Sequence, residues 1–220
     1  SLANGKGLES AINIIENKNK NGEKITVVAS ARGNTTNDLE SILYKAAAKK
    51  EYKNDLEIFK KYQLIPDNTV DLSQEFLKLE TIFEGVSLLG DFSQRIKDEV
   101  LAQGELLAVK TLVHLLNTIN IDANYVDART LIITDENFGN AQPISANKKG
   151  ETTTLGRNGS NYTAALIANY LDADELQNYT HVSGIFTANP DLVADAKKIE
   201  QLSFSEANEL ANFGATILHA

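Results

Sequence analysis

Cysteine, methionine and tryptophan are absent from the 220 residues, and proline and histidine occur only three times each. Without cysteine there is no disulfide, no thiol nucleophile and no thiolate ligand for a metal. The histidines, His114, His181 and His219, include no close-spaced pair, which leaves a zinc enzyme or a Ser-His-Asp hydrolase with little support and no metal-ligating set to nominate. No apolar run reaches the roughly 18 residues of a membrane span and no secretory leader is evident, so a soluble cytoplasmic protein with no membrane partner is expected. Methionine is missing even at position 1, and the sequence reads as part of a longer chain. Basic side chains are also in deficit, 21 against 30 acidic ones. The resulting net charge of -9 argues against nucleic acid as a partner for the surface as a whole, while leaving room for a local anion site. What remains is 42% hydrophobic, enough to fill the core of one large α/β domain or two small ones.

Apolar residues Leu8, Ile12, Ile14 and Ile15 predict a helix, closed by the turn Asn21-Gly22. Ile25 to Ala29 is a short apolar run suited to a buried parallel strand, followed by the polar loop Ser30 to Leu39, where open α/β sheets usually place ligand contacts. From Ser41 to Leu116 the pattern is almost wholly helical, with Lys49-Lys50 and Lys60-Lys61 balanced by Glu51, Asp55 and Glu57 on a solvated face. Ala123 to Val126, Leu131 to Thr134 and Ile199 to Leu202 predict further strands, and Ser203 or Ser205 caps a last helix running to Gly214.

The segment TTTLGRNGSNYTAALIA, Thr152 to Ala168, carries the most chemistry. A β-prone run, Thr152 to Leu155, feeds a loop with Gly156 and Gly159, and Ser160 or Asn161 caps a helix carried by Ala164, Leu166, Ile167 and Leu171. Free amides at such a helix start favour an anion, by roughly 0.3 to 1 kcal/mol for the helix-end field alone, and Arg157 adds a cation. A glycine-bearing strand-to-helix turn also serves purely structural ends.

Read with four other segments, this loop resembles the aspartokinases of the amino acid kinase superfamily. Val28-Ala29-Ser30-Ala31 with Gly33 and Thr35-Thr36-Asn37 is similar to that family's V-x-S-A … T-N loop, and Gln103-Gly104-Glu105 to its G-E segment. Thr152 to Ala168 resembles its TTLGRGGSDYTAA signature, Tyr179 to Pro190 its nucleotide-site segment WTDVDGIYTADP, and Glu206 to Leu218 its EAxELAxFGAKVLH. The resemblance implies a three-layer α/β/α sandwich with a mostly parallel central sheet, in which residues 1–150 bind aspartate and 151–220 the nucleotide. It further implies transfer of the γ-phosphoryl group of MgATP to the side-chain carboxylate of L-aspartate. That reaction is the committed step toward lysine, threonine and methionine. A homo-oligomer is expected, with regulatory and homoserine dehydrogenase portions beyond Ala220.

By the same resemblance Arg157 holds the α-carboxylate of aspartate and Glu105 meets its α-ammonium group, with Ser30 and Thr36 hydrogen-bonded to substrate. Gly159, Ser160 and Asn161 lie at the phosphoryl-transfer end, Ser160 also touching substrate. Thr180, His181, Phe186, Asn189, Gly214 and Thr216 line the nucleotide site. Plainer roles stay open: Glu105 as a helix-surface carboxylate, Ser160 as an N-cap, Phe186 as packing. The chain departs from the family pattern at Asn161, His181 and Thr216, which replace aspartate, aspartate and lysine, and at Asn189 and Asp191, which alter the DPR triplet. The family's Lys-Phe-Gly-Gly opening has no counterpart from Ser1 onward, and only the ten residues Asn140 to Lys149 stand where a helix and a central strand are usual, so a chain discontinuity is expected near Ile144-Ser145. Another amino acid kinase, for glutamate or acetylglutamate, and a degenerate nucleotide-binding regulatory domain are the alternatives.

Overall fold

A computed structural model describes residues 2, 6–142, 152–155, 159–180, 184–189 and 192–212. It divides into two compact units, residues 1–157 and 158–220.

The first unit is built on five helices: α1 (Lys6–Lys20), α2 (Thr35–Ala47), α3 (Lys53–Gln63), α4 (Ser73–Leu89) and α5 (Gln94–Thr118). The predicted helical stretch is therefore four helices separated by short turns. Helix α5 is the longest at 25 residues, begun by Ser93, whose hydroxyl accepts the Ile96 N–H. Its buried positions Val100, Gln103, Gly104, Leu107, Ala108, Thr111 and Leu112 recur at intervals of three and four, so one stripe faces the interior along its whole length. The N-terminal half of the stripe joins Leu39, Leu43, Leu79 and Phe83, all fully buried, in the main core. The C-terminal half packs Leu112 and Leu116 against Leu8 and Ile15 of α1 in a second cluster.

Among the described residues no strand ladder forms. Ile25 to Ala29 and Ala123 to Val126 run without regular secondary structure, and Ile25 and Val27 are 36% and 43% exposed rather than sandwiched between layers. Leu131 ends the 3-10 turn Ala128–Thr130 instead of opening a strand. A β-prone run becomes a strand only when a partner in register satisfies its backbone, and that partner is non-local. Single pairings occur instead: Ala141 N–H donates to the Thr154 carbonyl at 2.9 Å, and Asp135 N–H to that of Gln142 at 2.9 Å.

The described residues of the second unit contain α6 (Gly159–Tyr170) and α7 (Phe204–Asn212), with an antiparallel bridge between Phe186 and Lys198. Helix α6 has no fully buried residue. Ser203 starts α7 by reciprocal capping: its hydroxyl accepts the Glu206 N–H at 3.3 Å, and the Glu206 carboxylate accepts the Ser203 N–H at 2.8 Å. No helix among the described residues is long and apolar enough to cross a membrane. Residues 140–142 are described and 143–149 are not, so the expected discontinuity near Ile144-Ser145 lies outside the described residues.

Leu107, fully buried in the main core, is where α5 meets α2 and α4. Leu107→Ala is expected to lower unfolding free energy by about 2 to 5 kcal/mol, read from the shift of the urea midpoint at unchanged m.

Candidate functional site

The loop after residue 29 and the middle of α5 meet at van der Waals range. A Cβ placed on Gly104 would stand 3.0 Å from the Ala31 Cβ and 3.1 Å from the Thr35 Cγ2, so the close approach depends on glycine there. The next residue, Glu105, directs its half-buried carboxylate at the same loop and accepts the Ala31 main-chain N–H. Burial pushes the Glu105 carboxyl above the ordinary glutamate range, and hydrogen bonds from its own backbone and from Ala31 only partly offset this. No basic side chain pairs with it among the described residues. Ser30, exposed, and Thr36, half-buried in the first turn of α2, flank this contact. Three of the residues expected to hold substrate, Ser30, Thr36 and Glu105, thus belong to one contact region, and an unpaired carboxylate beside free hydroxyls suits a small cationic group.

The loop is gripped from its other side as well. Arg32 is fully buried, its Nη1 donating to the Gln63 carbonyl at 3.2 Å and its guanidinium 5.1 Å from the centre of the Tyr62 ring. Gln63 Nε2 donates to the Thr35 hydroxyl at 2.9 Å, and Thr35 N–H donates to the Arg32 carbonyl at 3.0 Å. Burial lowers the Arg32 pKa, with the neighbouring Tyr62 acting in the opposite sense. Nothing in the sequence pattern marked Arg32, because a polar residue in a polar loop looks solvated.

A second region converges on Asp98, seven residues before Glu105 on α5 and therefore on nearly the same helical face. This fully buried carboxylate accepts the Gly139 N–H at 2.7 Å, the Thr154 N–H at 2.9 Å and the Gln94 amide at 3.1 Å. The two preceding threonines are fixed too: the Thr153 hydroxyl lies 2.5 Å from that of Thr134, and the Thr152 hydroxyl accepts Arg129 Nη1 at 3.1 Å. Arg129 is itself clamped by Asp127, with Nε 2.9 Å from one carboxylate oxygen. Residues 152–154, which lead into the glycine-bearing loop, are thus held one after another. Asp98 also escaped the sequence reading; the available signal was an acidic residue falling on the apolar stripe of a long helix.

In the second unit helix α6 is described from Gly159, with Ser160 and Asn161 among its first described residues; residues 156–158, on which the start of the helix depends, lie outside the described residues. Gly159, Ser160 and Asn161 are half-buried there. Thr180 and Asn189 are exposed, and Phe186 is half-buried at the bridge to Lys198. Arg157, His181, Gly214 and Thr216 lie outside the described residues.

Comparison with known proteins yields a consistent set. The model of the amino acid kinase family matches residues 1–220. The sequence is 33% identical over 174 residues to the lysine-sensitive aspartokinase 3 of Escherichia coli strain K12, covering 64% of this chain and 39% of that protein. It is 30% identical over 260 aligned positions to the bifunctional aspartokinase/homoserine dehydrogenase of Buchnera aphidicola, covering 100% of this chain and 32% of that one. Among solved structures, E. coli aspartokinase III in complex with aspartate and ADP, in its R-state, superposes with a TM-score of 0.82 at 28% identity, covering 100% of this chain and 56% of that chain. The chain thus spans 39% and 32% of the length of these two curated relatives.

The raised pKa of Glu105 has a thermodynamic sign. The stability this carboxyl lends is full below the unfolded pKa of roughly 4.3 and is lost as pH rises through its higher folded pKa. Glu105→Gln carries no such charge. Its urea midpoint is expected to match the parent's near the lower pH and to exceed it near neutrality.

Proposed function

The chain belongs to the amino acid kinase family, and from that premise we propose that it is the catalytic part of an ATP-dependent aspartate kinase. The observation that carries the reading is Glu105: a half-buried carboxylate, unpaired with any described cation, facing the Ser30 to Thr36 loop where an α-ammonium group would sit. The solved E. coli aspartokinase III that superposes on this chain contains aspartate and ADP, which supports the same substrate pair. The finer architecture proposed is a mostly parallel central sheet between helical layers, with residues 1–150 serving aspartate and 151–220 the nucleotide. A homo-oligomer in the cytoplasm, with a regulatory portion and, as in the bifunctional relative, a homoserine dehydrogenase portion joined to this one, completes the proposal.

In this reaction an oxygen of the aspartate side-chain carboxylate bonds to the γ-phosphorus of ATP as the bond from that phosphorus to the β,γ-bridging oxygen breaks, giving 4-phospho-L-aspartate and ADP. The nucleophile is already ionised at neutral pH, so positioning and charge neutralisation dominate and no general base is required. Arg157 would pair with the α-carboxylate through its two parallel donors while Glu105 meets the ammonium group, a polarity that selects an amino acid. Ser30 and Thr36 would fix the remaining oxygens. Gly159, Ser160 and Asn161, in the first turn of α6, would offer main-chain and side-chain donors to the transferred phosphoryl group. Thr180, His181, Phe186, Asn189, Gly214 and Thr216 would line the nucleotide pocket. Mg2+ bound mainly by phosphates and water would need few protein ligands. When bound it neutralises charge on the phosphates.

Full-length protein supplied with MgATP and aspartate is expected to release ADP in step with acyl phosphate trapped as the hydroxamate. Turnover with glutamate and none with aspartate rejects this reading in favour of another amino acid kinase. Nucleotide binding without turnover favours a degenerate domain, as the replacements at Asn161, His181 and Thr216 would suit. Arg157→Ala is expected to raise the KM for aspartate at least tenfold, about 1.4 kcal/mol, with the KM for ATP nearly unchanged; equal effects on both substrates would place Arg157 elsewhere.

A further inference from the structure

Arg32 is a poor choice for stability alone. Its side chain is fully buried, no carboxylate among the described residues pairs with it, and its Nε and Nη2 have no protein partner among them. Burying an unpaired cation opposes folding, and an apolar side chain of similar volume often serves a core better. Two features offset part of the cost. The guanidinium rests on the Tyr62 ring, and it donates to the carbonyl of Gln63, the last residue of α3, where the helix field is negative.

What the arrangement provides is a closed ring of bonds around one turn. The Arg32 side chain holds the Gln63 main chain, the Gln63 side chain holds the Thr35 side chain, and the Thr35 main chain holds that of Arg32. Gly33, at φ +53, lies inside the ring in a conformation that favours glycine. The ring separates Ser30 and Ala31 on one side from Thr36 on the other, and Ala31 is the residue whose N–H meets Glu105. The turn is therefore clamped between α3, through Gln63, and α5, through Gly104 and Glu105.

We infer that Arg32 and Gln63 are positioning residues for the amino acid substrate: they touch no substrate atom, and they set the spacing between Ser30, Thr36 and Glu105 that recognises it. The inference rests on the aspartate kinase reading above. A flexible turn would have to be ordered by the substrate at a cost to affinity; a turn locked in advance transfers that cost to folding.

The test uses the full-length chain and three variants, Arg32→Met, Arg32→Lys and Gln63→Met. The parent first shows aspartate-dependent turnover; its failure to do so rejects the kinase reading itself. With a turning-over parent, Arg32→Met is expected to keep the urea midpoint close to the parent's while the KM for aspartate rises about tenfold and the KM for ATP changes less than about twofold. Arg32→Lys, which loses the planar stack on Tyr62, is expected to rescue only part of the KM. Gln63→Met leaves the Gln63 carbonyl in place and breaks only the link to Thr35, and the same KM shift is expected. An unchanged aspartate KM in folded variants, with stability alone reduced, overturns the inference. Amide exchange on the unmodified chain gives a readout independent of turnover and of any variant's folding. The Thr35 N–H is expected to be protected before aspartate is added, and protection gained only on adding aspartate overturns the locked turn.

Discussion

The contact between Gly104-Glu105 and the turn from Ala31 to Thr35 governs the arrangement of everything around it. With a hydrogen in place of a side chain at position 104, α5 comes close enough for the Glu105 carboxylate to reach the Ala31 main chain. At 25 residues α5 is roughly 37 Å long, and it acts as a rod to which the rest of the first unit is referenced. Asp98 near one end holds the segments around Gly139 and Thr154, the middle holds the Ser30 to Thr36 loop, and Leu112 and Leu116 hold α1. Any displacement of α5 along its axis therefore moves several candidate site elements together.

Of the charged side chains in that unit, Asp98, Arg32 and Glu105 are each treated differently by the fold. Asp98 is surrounded by N–H donors, which compensate a carboxylate nearly as well as water does. Arg32 has a carbonyl and a ring face and lacks a countercharge among the described residues. Glu105 has backbone N–H groups and a carboxyl pushed upward by burial. The gradient from full to partial compensation runs from the structural anchor to the group proposed to meet substrate. That is the ordering expected if incomplete satisfaction is tolerated only where a ligand or a preorganised loop gives a return.

Helix positions were legible because the signal is local. The three-and-four spacing of Leu8, Ile12 and Ile15, and of Leu107 through Leu116, is a property of the chain whatever surrounds it, and the S-x-x-E pattern at Ser203 and Glu206 marks a helix start by itself. The Gly104-Glu105 pair and the Ser30 to Thr36 loop were also legible, as motifs. Strands were not. Ile25 to Ala29 has the composition of a buried strand, yet its ladder depends on partners far away in sequence, and among the described residues it has none.

By itself the sequence determined the helices, the acidic and cysteine-free character, and, through its motif-bearing segments, the family. Tertiary structure alone decided which polar residues became interior. Arg32 and Gln63 carry no mark in a one-dimensional pattern, and Asp98 only its place on an apolar stripe, because a buried polar group is viable only when distant backbone donors and acceptors arrive to satisfy it. Whether Gly139, Thr154 or the end of α3 arrives at the right place is a property of packed helices, which no window of sequence contains.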